Sequence, residues 1–244
     1  MSETSTLIGY SGRTIGREEL TLVPTPPATE THRPIPHHEI VRALVETLGF
    51  RHIGVVHDEY AVSPDGMKVF GVLDLATEME GCRFSIGLRN SHDKSMRLAL
   101  TCGYRVFVCS NMAFAGDFTP VLAKHSKSFN LIDTLAVGVD RIQRNFEPMQ
   151  RQVEQWRSSQ ISDERAKLIL YAAFVDGELE APRSLLPEVH RLYFEPEYPE
   201  FSPRTMWSLS NAFTSAFKKL DPIPQFKATA KLGEFLEARF SQAF

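Results

Sequence analysis

The sequence predicts an α+β fold: a mainly antiparallel β-meander sheet with a packed helix, followed by a C-terminal helical region. Four segments with strand-like apolar patterns lie at 52–60, 67–75, 82–89 and 96–109. The polar stretches that separate them are short, at 63–66, 78–81 and 90–95. Such stretches cannot hold the crossover helix that parallel strands need. After residue 130, apolar residues recur at spacings of three and four, which is typical of helices.

The centre of the predicted sheet has the clearest pattern. Phe84, Ile86 and Leu88 alternate with polar or small residues, as in a strand with one buried face. The following segment stays apolar through Cys109, which favours a strand buried on both faces. Between the first two strand segments, residues 63–66 read Ser-Pro-Asp-Gly, a turn in which proline fixes φ and glycine accepts a positive φ.

Helices are predicted on both sides of the sheet in the sequence. The segment 37–49 carries an apolar stripe and ends at Gly49, a natural helix stop, and it should pack across one sheet face. A long helix is predicted over 131–156, bent near Pro148. Shorter helices are predicted at 121–129, 165–175, 185–192, 205–220 and 226–240.

Three regions follow from these patterns. Residues 1–36 form a proline-rich N-terminal arm, because five prolines between residues 24 and 36 exclude a helix or a central strand. The arm packs either on its own domain, which we favour, or across a neighbouring subunit. Residues 37–157 form the α+β core with its long helix. Residues 158–244 form a helical C-terminal region, joined by an acidic loop at 176–203.

Composition excludes several function classes. The 244 residues carry a net charge of −3, so a nucleic-acid or membrane-surface role would need a local basic patch. The sequence has no run of 18 apolar residues, so we predict no membrane span. Cys82, Cys102 and Cys109 lie in apolar, strand-like surroundings, which indicates reduced, buried thiols and a cytoplasmic protein.

One local patch is strongly basic. Between Arg83 and Lys127, seven Lys or Arg residues accompany only two acids. Aromatic residues lie among them, and this mixture is typical of a surface for single-stranded nucleic acid, where bases stack on rings and cations hold phosphates. Two roles remain open for Arg105: contact with nucleic acid, or an ion pair with Asp74 or Glu78 on the adjoining strand. The predicted nucleic-acid-binding residues are Arg89, Lys94, Arg97, Lys124 and Lys127, and Arg141 and Arg144 on the outward face of the predicted long helix extend the same track.

Catalytic and metal-binding residues form no complete set. The 90–95 loop contains His92 and Asp93, but no second carboxylate lies nearby, so the loop suits anion binding or a plain hairpin connection better than acid–base chemistry. Metal-type donors are His37, His38, His57, Asp58 and Asp74. The two adjacent histidines lack metal-site spacing and should be exposed at a helix start. We therefore predict no metal and no other cofactor, and we favour a non-enzymatic protein.

Two asparagines are predicted to have structural roles. Asn111 interrupts an apolar strand end, where a buried amide must be hydrogen-bonded or cost about 1–3 kcal/mol. Its side chain is expected to bond the backbone of the 90–95 loop or of the 205–217 helix. Asn211 lies inside that helix among apolar residues.

Several phrases of the sequence are distinctive. They include GMKVFGVLDL at 66–75, CRFSIGLRNSHDKSMRLALTCGYRVFVCSNMAF at 82–114 and TMWSLSNAFTSAF at 205–217. The most specific motifs are Arg-Val-x-x-Cys-x-Asn at 105–111 and Trp-x-Leu-x-Asn-Ala-x-Thr at 207–214. In these phrases the chain resembles the phage/plasmid-like family of unknown function. The resemblance implies a protein of plasmids, prophages or genomic islands, without established catalytic residues. The order of helix, meander and helix is also similar to that of the single-strand annealing recombinases of phages.

Two functions remain open. The first is a non-enzymatic nucleic-acid-binding protein of phage or plasmid type that acts as a homo-oligomer in recombination or DNA maintenance, with single-stranded DNA favoured. The second is a protein-interaction or antirestriction-type factor with no direct nucleic-acid binding, whose acidic stretch at 176–200 mimics the charge of DNA. The two differ in which surface matters, the basic one or the acidic one.

Overall fold

A computed structural model describes residues 13–109, 111–114, 121–123 and 129–241 of the chain. Within these residues the strands are β1 Arg13–Ile15, β2 Val55–Val62, β3 Lys68–Met79, β4 Cys82–Ser91, β5 Leu98–Val106, β6 Met112–Phe114 and β7 Val121–Ala123. The helices are α1 His37–Phe50, α2 Leu131–Arg144, α3 Phe146–Ser158, α4 Asp163–Phe174, α5 Leu186–Phe194, α6 Met206–Phe217 and α7 Pro222–Ser241. Short 3-10 helices lie at Glu19–Leu22, Arg183–Leu185 and Pro199–Phe201.

The sheet is an antiparallel meander. Strands β1 to β6 lie side by side in sequence order, and each neighbouring pair is antiparallel. Strand β6 pairs with residues 103–105 of β5, and β7 pairs with residues 98–100 of the same strand. No helix interrupts residues 55–106, all of which the structure describes. The predicted α+β fold with an antiparallel meander is therefore confirmed.

Two glycines close the hairpins at the centre of the sheet. Gly66 in the β2–β3 turn has a φ of 72°, and Gly81 in the β3–β4 turn has a φ of 67°. Glycine adopts this left-handed conformation without the strain that a Cβ would cause. The resulting register places Val72 opposite Gly87, and Gly87 opposite Thr101. Since side chains alternate along a strand, these three residues share one face of the sheet.

The other face of the sheet carries the main hydrophobic core. Fully buried residues on this face include Leu73, Ile86 and Cys102. They belong to one cluster with the apolar sides of α1, α2, α3 and α6. Tyr104 packs against Trp207 of α6 with ring centroids 5.9 Å apart, and Phe84 stacks on Phe146 at the start of α3 at 4.3 Å. The helices thus cover this core face from one end of the sheet to the other.

The face opposite the core, which we call the open face, is only partly covered. Ala61, Val72 and Met112 form a small cluster of their own there, with Phe114 packed against it. Helix α7 lies against β6 and leaves a groove between itself and the sheet. The open face therefore positions side chains that the main core does not use.

Two helix predictions need correction. The predicted helix at 121–129 is wrong where it is described, because Val121–Ala123 is a strand. This strand satisfies backbone groups of β5 at residues 98–100, beyond the reach of β6. The long helix predicted over 131–156 is two helices that meet at Asn145. Pro148 lies in the first turn of α3, where its missing N–H is tolerated, so the break comes before it.

The described part of the N-terminal arm packs on its own chain, as favoured from the sequence. Strand β1 pairs with β2, and Leu20 is fully buried in the main core. The acidic connection at 176–203 holds more helix than the sequence predicts, since two 3-10 helices flank α5. Val189, Leu192 and Tyr193 anchor α5 in the core.

Candidate nucleic-acid interface

Arg89 lies deepest in the fold among the predicted nucleic-acid-binding residues that are described. Its register opposite Phe70 and Ala99 places its side chain on the open face. There it is half-buried and lines the groove under α7 together with Thr101 and Phe114. Burial lowers the pKa of Arg89, because the guanidinium loses part of its hydration. The group nevertheless stays charged at neutral pH.

Lys94 and Arg97 lie in the exposed loop that joins β4 to β5. The Ser91 hydroxyl shapes this loop, since it donates to the Met96 carbonyl (2.9 Å) and accepts from the Met96 N–H (3.0 Å). Lys94 has a φ of 65°, the left-handed conformation of a tight turn. Arg97 lies two residues before Ala99, which faces Arg89 across the strands. Continuing the alternation of β5 therefore places Arg97 on the same sheet face as Arg89. We call Arg89, Lys94 and Arg97 the basic end.

Arg141 and Arg144 do not join the basic end. They are exposed on the last turn of α2, which packs on the core face of the sheet. Phe146 follows directly and stacks on Phe84 near the start of β4, whereas Lys94 comes after the end of that strand. The seven residue steps from Phe84 to the strand end at Ser91 span about 24 Å. The structure thus separates two cation groups that the sequence joins in one track.

Lys124 and Lys127, the remaining predicted contacts, lie outside the described residues. Ala123, the last described residue before them, pairs with Leu98 at the start of β5. Strand β7 therefore ends beside the loop that carries Lys94 and Arg97.

Glycines shape the floor of the groove on the open face. The Phe114 ring lies over Gly87 and Gly103, where an added Cβ would come within 2.8 and 2.7 Å of it. Gln225 and Thr229 of α7 form the opposite wall. The enclosed volume of the groove is about 50 Å³, which is small for a ligand pocket. Its walls are mostly apolar with a few converging polar groups, a lining that ligand sites share.

A buried charge cluster lies farther along the same face. Arg105 Nε is 2.8 Å from a carboxylate oxygen of Asp74, and Arg105 Nη2 is 3.3 Å from a carboxylate oxygen of Glu59. The Ser85 hydroxyl donates to Asp74 at 2.6 Å, and His57 Nδ1 lies 3.6 Å from the same carboxylate. Of the two acidic partners considered for Arg105, Asp74 is the one found, while Glu78 pairs with Arg83. Two carboxylates engage Arg105, so it does not serve the basic end.

Two stacked histidines lie directly behind the loop of the basic end. The rings of His37 and His92 are nearly parallel, with centroids 3.8 Å apart, and both residues are buried. His37 Nε2 donates to the Gly66 carbonyl at 3.1 Å, while its Nδ1 accepts from the Asn90 amide at 3.1 Å. These contacts join the start of α1 to the β2–β3 turn and to the end of β4.

Of these two histidines, His92 also holds the N-terminal arm. His92 Nε2 donates to the Ile35 carbonyl at 2.9 Å, and His32 Nε2 donates to the His92 carbonyl at 3.0 Å. Burial lowers the pKa of His92, so its ring is neutral. The expectation that His37 is exposed is wrong, because its ring fills the space between α1 and the loop. Only the fold brings these residues together, since His37 and His92 are far apart in sequence.

Asn111 and Asn211 connect the meander to α6. The Asn111 amide donates to the Asn211 carbonyl at 3.1 Å and to the Asn211 side-chain oxygen at 3.2 Å. The prediction that Asn111 bonds the backbone of the 205–217 helix is confirmed. Nearby, Lys218 Nζ donates to the Cys109 carbonyl at 2.5 Å. Two sequence motifs a hundred residues apart therefore meet in one seam.

Other chemistries find little support in the described residues. In this part of the chain, no group of three or more His, Cys, Asp or Glu side chains is placed to hold a metal ion. Burial raises the pKa of Cys82 and Cys109 to about 11 and that of Cys102 to about 12, which disfavours the reactive thiolate. Among the described helices, none combines the length and the apolar character needed to cross a bilayer.

The acidic connection has partners within the chain. Glu178 pairs with Arg239, Glu197 pairs with Arg191, and Glu188 pairs with both Arg191 and Lys219. These pairs offset part of the negative charge of the stretch at 176–200. Charge that is neutralised within the chain contributes little to the field that a DNA-mimicking surface would present to a partner.

Comparisons with known proteins identify a family for most of the chain. Residues 29–236 match the family model described as "Domain of unknown function (DUF932)". No curated protein and no solved structure matches the chain. The matched region includes the basic end, the histidine pair and both segments that meet at Asn111 and Asn211.

Proposed function

The chain belongs to the DUF932 family, and we propose that it is a non-enzymatic nucleic-acid-binding protein that favours single-stranded DNA. A role in recombination or DNA maintenance of phages or plasmids is part of the proposal and follows the sequence resemblance. So is a cytoplasmic location, which suits three free, buried thiols. The proposal also includes self-association into a homo-oligomer.

One observation supports this function above the others. Arg89 shares the walls of a groove with Phe114, and the exposed cations Lys94 and Arg97 follow at the same end of the same strands. Proteins that hold single strands place aromatic rings where bases stack and cations where phosphates pass. The basic end supplies the cations, and Phe114 on the neighbouring strand β6 supplies the ring.

The position of the apolar walls favours a single strand over a duplex. They lie between the sheet and α7, so a ligand contacts them only by inserting a group such as a base. Bases of a single strand are free to turn out of the backbone, whereas the bases of a duplex are stacked and paired. In a duplex only phosphates could contact Lys94 and Arg97, and the contact with Phe114 would be lost.

A salt-series titration tests the proposal. A fluorescent oligothymidine and a duplex of the same length would be titrated with the protein at several salt concentrations, with fluorescence anisotropy as the readout. Three phosphate contacts predict a slope of log affinity against log salt of about −2, at roughly −0.7 per contact. We expect tighter binding of the single strand than of the duplex. Salt-independent binding, or no binding to either, would contradict the proposal and favour the protein-interaction function.

A further inference from the structure

A large cavity lies at the end of the sheet opposite the basic end. It has a volume of about 540 Å³ and opens between the β3–β4 turn, the end of β5, and α3. Val106, Val108, Phe201 and Trp207 form its apolar walls. Val108 is 41% exposed, so apolar surface faces solvent here. The cavity plays no part in the proposed binding of nucleic acid.

The rim of the cavity is acidic. Glu80, Glu154 and Glu200 contribute three carboxylates, and Arg157 contributes one guanidinium. Arg157 is held in place, since it lies over the Trp207 ring at 4.8 Å and donates to the Glu80 carbonyl at 2.8 Å. Within the described residues, neither Glu154 nor Glu200 forms an ion pair. The rim therefore has two carboxylates in excess over its single cation.

The β4–β5 loop of the same chain complements this cavity. Its exposed tip presents two cations, Lys94 and Arg97, with the half-buried Met96 between them. Asp93 in the same loop pairs with Lys68 of β3 at 3.6 Å, so the two cations remain in excess. Two positive charges match the excess of two carboxylates, and a thioether side chain suits apolar walls that include Val108. We propose that the β4–β5 loop of one copy enters the cavity of a second copy.

The positions of loop and cavity determine the kind of assembly. Strand β4 begins at Cys82, beside the cavity, and ends at Ser91, before the loop. Its ten residues place the two surfaces about 30 Å apart, at opposite ends of the molecule. A contact between two different surfaces is heterologous, so it propagates into a ring or a filament rather than closing as a symmetric dimer.

The inference rests on the self-association that is part of the proposed function, and it assigns that association to the β4–β5 loop and the cavity. Lys94 and Arg97 cannot contact phosphates while they occupy a neighbouring cavity. Nucleic acid and self-association therefore compete for the loop. Saturating oligothymidine should reduce the mass of the assembly, and high salt should reduce it as well, because both contacts are electrostatic.

Charge exchange between the two surfaces tests this inference. One variant carries Lys94→Glu and Arg97→Glu, and a second carries Glu154→Lys and Glu200→Lys. Sedimentation velocity at low salt would compare wild type, each variant alone and their equimolar mixture, with circular dichroism to confirm folding. We expect the wild type to assemble, each variant to sediment as a monomer, and the mixture to assemble again through alternating copies.

A wild type that stays monomeric would overturn the inference, and so would a mixture that stays monomeric when the wild type assembles. Assembly of either variant alone to the wild-type extent would overturn it too. The Glu154 and Glu200 variant also separates this inference from the proposed function, because it leaves the basic end intact. It should bind oligothymidine at least as tightly as the wild type. If neither protein binds nucleic acid, the proposed function fails, while the sedimentation result still decides the contact between copies.

Discussion

The side-chain amide of Asn111 donates to both oxygens of Asn211, the main-chain one at 3.1 Å and the side-chain one at 3.2 Å. Asn211 in turn donates its own amide to the Trp207 carbonyl at 3.0 Å. Both asparagines are only 2% exposed. This seam joins the end of the meander to the helix that covers it, and it supports the β5–β6 region beside the groove.

Replacing Asn111 should therefore lower the stability of the fold. Asn111→Leu removes a donor from two buried oxygens, and an unsatisfied buried polar group costs about 1–3 kcal/mol. Urea unfolding should show a drop of this size in the free energy of unfolding. Gln143→Leu on the exposed face of α2 is the matched control and should change little. An Asn111→Leu protein as stable as the control would show that the seam contributes nothing.

The pair of Arg105 and Asp74 should be costly to break. Arg105→Ala leaves the carboxylates of Asp74 and Glu59 buried without their cation, which typically costs about 3–5 kcal/mol. Arg83 faces Arg105 across the strands and pairs with Glu78 near the surface, so Arg83→Ala should cost only about 0.2–1 kcal/mol. Chemical denaturation of the two variants compares them directly. Equal losses would contradict a buried role for Arg105.

Stability should depend on pH through His92. Burial lowers the pKa of His92 below its unfolded value, so the unfolded chain binds more protons as pH falls. Stability should thus decrease as pH drops below about 6.5, the usual histidine value. The groups that face the ring are His37, His32 and Asp93, and its Nδ1 is buried without a hydrogen-bond partner among the described residues.

His92→Gln removes this titration and keeps an amide donor for the Ile35 carbonyl. Urea unfolding at pH 8 and pH 5.5 should show a smaller loss of stability in this variant than in the wild type. His190→Gln, at an exposed position on α5, serves as the control and should retain the wild-type pH dependence. The same pH dependence in all three proteins would be the contrary result.

The glycine floor of the groove should tolerate no side chain at Gly103. A Cβ there would meet the Ala113 carbonyl and the Phe114 ring, so Gly103→Ala must displace β6. Overpacking of this kind costs roughly 1–3 kcal/mol. Gly233 in α7 has open space around it, and Gly233→Ala should stabilise the helix by about 0.5–1 kcal/mol. Thermal unfolding of both variants should therefore shift in opposite directions.

Much of the fold could be predicted because its patterns are local. The alternation of Phe84, Ile86 and Leu88, the turn at 63–66 and the apolar stripe of α1 each depend on a few neighbouring residues. Strand β7 was missed because three residues carry too little pattern, and only the open edge of β5 determines their pairing. The partner of Asn111 could be narrowed to two segments, but the choice between them needed the packing of α6 on the sheet.

The candidate site was harder to predict, because it depends on sheet faces and long-range contacts. Sequence charge alone joined Arg89 and Arg141 in one track. Strand register places Arg89 on the open face, whereas α2, which carries Arg141, packs on the core face. The stacking of His37 on His92 has no local pattern, since the two lie on different elements. The cavity beside Trp207 likewise forms from segments that are distant in sequence.

The most direct test of the central claim compares the two separated groups of cations. One variant carries Lys94→Gln and Arg97→Gln, and the other carries Arg141→Gln and Arg144→Gln. Each would be titrated against oligothymidine over a salt series. Loss of two phosphate contacts at the basic end should weaken binding and flatten the log–log salt slope by about 1.4 in the first variant. The second variant should keep the wild-type affinity and slope. The opposite pattern, or an equal loss in both variants, would contradict a nucleic-acid site at the basic end.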